Sequence, residues 1–143
     1  MKITTRGRYA VMALVALASY SRGNPVTIRF IASQEDIPES YLQQLFLRLR
    51  KKNIVKSIRG PGGGIILSRS PSEITIGEII RTAEGKQVNV GCRKSGRQCG
   101  MINKCRTQHM WETLEKRIDE FLDSIFLEDL FDKPSKLVQE TDA

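Results

Sequence analysis

From Tyr9 to Tyr20 the chain is apolar at every position but Ser19. Lys2, Arg6 and Arg8 precede this run and Ala16-Leu17-Ala18 lies within it, which is the outline of an export signal. The run is too short to span a bilayer, and no later segment approaches the roughly 20 apolar residues that a spanning helix needs. A helix buried on most of its sides is the better account. It is predicted to extend from Thr5 to Ser21, where Gly23, Asn24 and Pro25 end it.

The pattern then changes to short amphipathic segments. A second helix begins near Thr27, with helical spacing from Ile28 to Ala32, and Glu35, Asp36 and Pro38 make a turn. A third helix follows, with the proline in its first turn. In it Tyr41, Leu42, Leu45, Phe46 and Leu49 recur at the spacing of one buried face, leaving Ser40, Gln43, Gln44, Leu47, Arg48 and Lys51 outward. This is a helix-turn-helix outline. Ile54 to Arg59 reads as a strand, Gly60-Pro61-Gly62-Gly63-Gly64 as a tight turn and Ile65 to Ser68 as the returning strand. A basic hairpin directly after such a helix is a wing.

Beyond the wing, Thr75-Ile76-Gly77-Glu78 has the form of a capping box opening a helix through Ala83, with Ile76, Ile79 and Ile80 inward and Gly85 closing it. From Arg106 onward Trp111, Leu114, Ile118, Phe121, Leu122 and Ile125 mark a long amphipathic helix. Its apolar stripe needs a partner, either its own domain or, as the helix lies outside the compact unit, a second copy across a two-fold axis. The expected fold is mainly α with a small β-hairpin wing. A winged helix-turn-helix domain occupies residues 1–84, a cysteine-rich loop 85–109, a dimerisation helix with a short following helix 106–131, and a flexible polar tail 132–143.

Composition fits one ordinary domain: 143 residues, 40% hydrophobic and 27% charged. Charge adds more. The net charge is +7, and residues 1–60 hold 11 Lys/Arg against 3 Asp/Glu while the remainder holds 12 against 13. The excess belongs to the first part, as expected of a surface that meets a polyanion, although basic residues also serve solubility alone. Ser40, Gln43 and Gln44 carry donors and acceptors suited to base edges, and Arg50, Lys51 and Lys52 can neutralise phosphates. A Ser-Gln-Gln face is often plain solvated surface; the basic wing beside it favours the reading role. Arg59 sits at the wing's base, where a guanidinium can enter a narrow minor groove, and the glycines let backbone approach phosphates. The same glycines do not form a nucleotide loop, because no Gly-Lys-Ser/Thr follows and they join two strands.

Cys92, Cys99, Cys105 and His109 are all the cysteines and histidine of the chain, gathered in one basic loop. An odd thiol count without a convincing export signal predicts a cytoplasmic protein with reduced cysteines available as ligands. Thiolates suit iron-sulfur clusters and zinc, and Arg93, Lys94, Arg97, Lys104 and Arg106 favour the ionised form while offsetting an anionic cluster. Structural zinc sites usually pair cysteines two to four residues apart, unlike the wide gaps here, but zinc remains an alternative, as does a metal-free disulfide switch. An enzyme with a nucleophilic cysteine and His109 as base would need an orienting group around a pocket, and nothing in the loop supplies one. The chain is not expected to be an enzyme.

The segments Thr5-Arg6-Gly7-Arg8-Tyr9-Ala10-Val11, Ser40-Tyr41-Leu42-Gln43-Gln44-Leu45-Phe46, Leu49-Arg50-Lys51 and Arg59-Gly60-Pro61-Gly62-Gly63-Gly64, with three cysteines before Trp111, resemble the IscR-type bacterial iron-sulfur cluster regulators over nearly the whole chain. Their superfamily also contains nitric-oxide-sensing, iron-responsive and cysteine-metabolism repressors. The resemblance implies a homodimeric transcription factor on a pseudo-palindromic double-stranded DNA site, with no membrane and no small-molecule substrate. It further implies a [2Fe-2S] cluster, with [4Fe-4S] the other nuclearity, whose occupancy sets promoter choice. Carried over by position, Ser40 and Gln44 read bases, Arg59 enters the minor groove, and Tyr41, Arg50 and the wing backbone at Gly60, Pro61 and Gly62 hold phosphates. Cys92, Cys99 and Cys105 become cluster ligands with His109 as the fourth. His109 falls one residue later than the family's usual histidine, where this chain has Gln108, a rotation of about 100° on a helix. Gln43 stands where the family commonly has Glu.

Overall fold

The computed structural model describes residues 3–85, 93–94, 97–98 and 105–131. Helix α1 spans Thr5–Ser21, as the apolar run predicts, and buries Ala10, Ala13, Leu14, Ala16 and Leu17. Four more helices and one wing strand surround it, which is why so many of its faces are apolar. Among the described residues no helix is long and apolar enough to cross a membrane.

Helix α2 (Ile28–Glu35) opens on Thr27, whose hydroxyl accepts the Phe30 amide at 3.2 Å, and closes on Asp36 in the left-handed region. The turn buries Ile37 and delivers helix α3 (Glu39–Lys51). Pro38 is the N-cap of α3, not a member of its first turn; its carbonyl accepts the amides of Tyr41 and Leu42. A residue without an N–H loses nothing at that position, which needs only an acceptor. Leu42, Leu45, Phe46 and Leu49 form the buried face. Tyr41 is half-buried, its ring meeting Tyr9 edge-on at 5.6 Å.

Strands β1 (Val55–Ile58) and β2 (Gly64–Leu67) pair antiparallel, Val55 opposite Leu67 and Ile58 opposite Gly64. Gly60 and Gly62 take φ of 100° and 73°, conformations that tightly reverse the chain and suit glycine. Val26 bridges to Ile65 through two backbone hydrogen bonds, so the wing is fastened to the α1–α2 connection as well as to α3.

Helix α4 (Ile76–Glu84) begins with half of the anticipated capping box: Thr75 Oγ1 accepts the Glu78 amide, but the Glu78 carboxylate pairs with Arg69 at 2.5 Å instead of returning to Thr75. A guanidinium is a stronger partner than a neutral amide. Gly85, at φ 72°, ends α4. The far end of α4 serves α1. Thr4 makes no side-chain cap on α1, and Glu84 Oε1 takes over, accepting from the Thr4 amide at 3.0 Å, the Thr4 hydroxyl and the Gly7 amide at 3.1 Å.

Strands β3 (Arg93–Lys94) and β4 (Arg97–Gln98) form a minimal antiparallel pair. Helix α5 (Gln108–Ser124) starts two residues later than the sequence pattern suggests, after a turn at Arg106 and Thr107, and the short α6 spans Glu128–Phe131. The C-terminal end of α5 is tied to α4 by Arg81, which pairs with Asp119 at 3.7 Å and with Asp123, and by backbone bonds from Ile76 to Ile125 and from Leu127 to Ile74. The predicted apolar stripe divides. Leu122 is buried, and Ile118 and Ile125 pack on the core, whereas Trp111, Leu114 and Phe121 remain 36%, 39% and 58% exposed.

Candidate nucleic-acid interface and thiol loop

Helix α3 is held to the body by its apolar face, so its opposite side presents Ser40, Gln43 and Gln44 to solvent. Lys51 and Lys52, at its C-terminal end, are exposed too. Arg48 is exposed with them, as expected, and its guanidinium also donates to the Ala83 carbonyl of α4 at 2.7 Å. The last carbonyls of a helix lack intrahelical donors, and a cation there also complements the helix dipole. Arg48 is therefore a brace between the third helix and α4. Arg50 donates to Ser57 Oγ on β1 at 3.0 Å, linking the end of α3 to the wing while remaining exposed.

Arg59, Gly60, Pro61 and Gly62 lie exposed at the tip and base of the wing, and a Gly63 N–H to Gly60 carbonyl bond of 2.9 Å closes the turn. Two protruding elements, one polar helix face and one basic hairpin, thus share a rigid support. The structure brings forward one residue that the motif reading passed over, Glu39. It opens α3, is exposed, and accepts a hydrogen bond from the Gln43 amide nitrogen at 3.4 Å. The signal in the sequence was the four-residue spacing of an acid and an amide on one helix.

Of the candidate metal ligands, Cys92 and Cys99 lie outside the described residues, as does the tail over 132–143. Cys105 is an exposed free thiol just before α5. A hydrogen bond with the Thr107 side chain, helped by the Thr107 and Gln108 backbone, lowers its pKa from the ordinary thiol value, favouring thiolate. His109 is exposed in the first turn of α5, and its carbonyl accepts the Thr113 hydroxyl. Gln108, in the neighbouring position, donates to Glu112 at 2.8 Å. Among the described residues no three ligating side chains come together.

An α3 set between a helical turn and a hairpin, with polar groups outward and cations at its end, defines a winged helix-turn-helix DNA-binding protein. The family model described as Rrf2, iron-dependent transcriptional regulator, matches residues 3–133, and the chain belongs to that family. It is 40% identical over 139 residues to the HTH-type transcriptional regulator IscR of Serratia proteamaculans (strain 568), covering 96% of this chain and 84% of the relative. Identity to the regulator of the same name from Yersinia pseudotuberculosis is 41% over 131 residues, covering 91% and 79%. Among solved structures, T. potens IscR matches with a TM-score of 0.73 at 36% identity, covering 96% of this chain and 90% of the other. CymR, the global cysteine regulator of B. subtilis, matches at 0.76 and 35%, covering 92% and 96%. The chain is a DNA-binding transcriptional regulator of the IscR type and not an enzyme.

Proposed function

We propose that the chain acts in the cytoplasm as a homodimer that reads a pseudo-palindromic duplex site, with promoter choice set by an iron-sulfur cluster. The observation that carries the reading is the joint exposure of Ser40, Gln43 and Gln44 on α3 and of Arg59 on the adjoining wing. In this arrangement Ser40 and Gln44 contact base edges, Arg59 enters the minor groove, and Tyr41, Arg50 and the backbone at Gly60, Pro61 and Gly62 position the phosphates. The stripe of Trp111, Leu114 and Phe121, left exposed by its own domain, is the dimer surface, and a two-fold axis through it places two reading helices on the two half-sites.

The donor set fits a cluster: three thiols and one imidazole are the only cysteines and histidine in the chain, Cys105 is accessible with its thiolate favoured, and His109 is accessible in the first turn of α5. Cys92, Cys99, Cys105 and His109 would hold the cluster, which the likeness to IscR-type regulators makes a [2Fe-2S] centre in this reading. When bound, it supplies a charge that responds to iron supply and redox state.

Two measurements on anaerobically purified full-length protein test this reading. The visible spectrum, with iron, sulfide and zinc assayed on the same sample, is expected to show sulfide-to-iron charge-transfer bands with equal iron and sulfide. Zinc alone, or no metal after reconstitution, refutes the cluster. Binding to duplex DNA is expected to weaken steeply with salt, and salt-independent or absent binding refutes the interface.

A further inference from the structure

Leu47 is the one large apolar side chain that α3 leaves exposed, at 44%. It belongs neither to the buried face of the helix nor to the half-buried side chains that pack on the core. Its neighbours one turn away on either side, Gln43, Gln44, Arg50 and Lys51, are all polar and exposed. On the helix, then, nothing extends it into the contiguous apolar patch that marks a protein interface. Helix formation does not ask for leucine there either, since glutamine, lysine and arginine propagate a helix about as well.

A lone surface leucine is ordinary on a free protein. On a helix that enters the major groove it is covered by base edges, and the chemistry of those edges then matters. Guanine N7 and O6, adenine N7 and N6, cytosine N4 and thymine O4 are polar, and a leucine laid over them excludes water without returning a hydrogen bond. The C5 methyl of thymine is the one apolar group on the major-groove edges of the four bases. Packing it against Leu47 removes two apolar surfaces from water at once.

Resting on the reading of α3 as the base-reading helix, we infer that Leu47 is a specificity-determining residue that selects a thymine in each half-site through its methyl group. Leu47 lies three residues beyond Gln44, about 4.5 Å along the helix axis. With base pairs about 3.4 Å apart, the thymine falls within two base pairs of the position read by Gln44. Gln44 discriminates by hydrogen bonds and Leu47 by an apolar contact, so the two contributions separate chemically.

Deoxyuridine differs from thymine only in lacking the methyl and keeps every Watson–Crick hydrogen bond. The test uses full-length protein and a duplex selected from a randomised library, with the Gln44 position located by the loss of discrimination in Gln44→Ala. Each thymine is replaced by deoxyuridine, one symmetry-related pair at a time, and affinities are measured at one salt concentration for wild type, Leu47→Ala and Leu47→Met. At one such pair wild type is expected to lose about fourfold per half-site, the effect of one buried methyl. Leu47→Ala, whose side chain no longer reaches the base, is expected to bind the thymine and deoxyuridine duplexes within about twofold of each other. Leu47→Met, still apolar and of similar length, should restore most of the methyl dependence. If no thymine within two base pairs of the Gln44 position shows a methyl effect, the inference is wrong. That comparison needs only wild type, so it holds whatever Leu47→Ala does to folding. An effect that persists in Leu47→Ala also overturns the inference, because another group or the shape of the duplex then reads the methyl. Either result leaves the proposed function standing, since wild type still binds its site. If wild type binds no duplex, the proposed function falls and this inference with it.

Discussion

The N-terminus of α1 depends on a carboxylate from the other end of the domain, and removing it gives a sharp prediction. Glu84 Oε1 accepts from the Thr4 amide, the Thr4 hydroxyl and the Gly7 amide, whereas α1 has neither a side-chain cap of its own nor an acid in its first turn. Loss of a helix cap costs about 1 kcal/mol, and loss of a carboxylate at the positive end of the helix dipole up to about 1 kcal/mol more. Glu84→Ala is therefore expected to destabilise the protein by about 2 kcal/mol. With an unfolding entropy of about 2.1 cal/mol/K per residue over the chain's 143 residues, Tm falls by roughly 7 °C.

Gly7 sharpens the test. A Cβ added there would lie 2.9 Å from Glu84 Oε1 and 3.3 Å from methyl groups of Ile3 and Ile80. Gly7→Ala pushes the carboxylate off its donors, which more than offsets the roughly 0.5–1 kcal/mol that alanine gains over glycine inside a helix. Once Glu84 is alanine, that gain remains, reduced by the two 3.3 Å approaches to Ile3 and Ile80. Gly7→Ala is thus expected to destabilise wild type by about 1 kcal/mol and to stabilise Glu84→Ala by about 0.5 kcal/mol. Thermal unfolding followed by circular dichroism at one fixed protein concentration measures the cycle, since the proposed dimerisation would make Tm concentration-dependent. Equal destabilisation in both backgrounds would refute the argument and assign Gly7 to the packing of Ile3 and Ile80. A change in Tm below about 1 °C for Glu84→Ala would remove the cap altogether.

Three further outcomes are expected. Gln44→Ala should cost about 1–3 kcal/mol at one base pair of each half-site, seen as a loss of discrimination in electrophoretic mobility shifts; equal loss on every sequence would count against base reading. Arg59→Ala should weaken binding most on sites with a narrow A·T-rich minor groove, and unchanged affinity there means the wing does not enter it. Phe121→Asp, at a side chain 58% exposed, should leave the circular dichroism spectrum intact while shifting sedimentation from dimer toward monomer; an unshifted dimer places the interface elsewhere.

The helices, the wing and the exposed polar face of α3 were legible in the sequence because each rests on short-range rules. Apolar spacing along Tyr41 to Leu49 describes one face of one helix, and glycine in the wing answers a local demand for positive φ. Even so, the local rules fell short where a better partner stood nearby in space. Glu78 leaves its capping box for Arg69, and Arg48, though exposed as expected, also bonds the Ala83 carbonyl. The thiol loop was legible only as a set of candidate donors, since residue type suggests ligands but no periodicity predicts how they are arranged.

The sequence by itself thus determined the order of elements, the polar edge of α3, the basic bias of residues 1–60 and the set of thiols and imidazole in the loop, all properties of neighbouring residues. Tertiary structure alone decided that a carboxylate at residue 84 caps a helix beginning at residue 5, that Arg48 braces α3 to α4, and that the α5 stripe splits between core and exposed surface. Such contacts join residues tens of positions apart. They exist only once buried side chains have fixed how the helices lie against one another, and no local pattern encodes that arrangement.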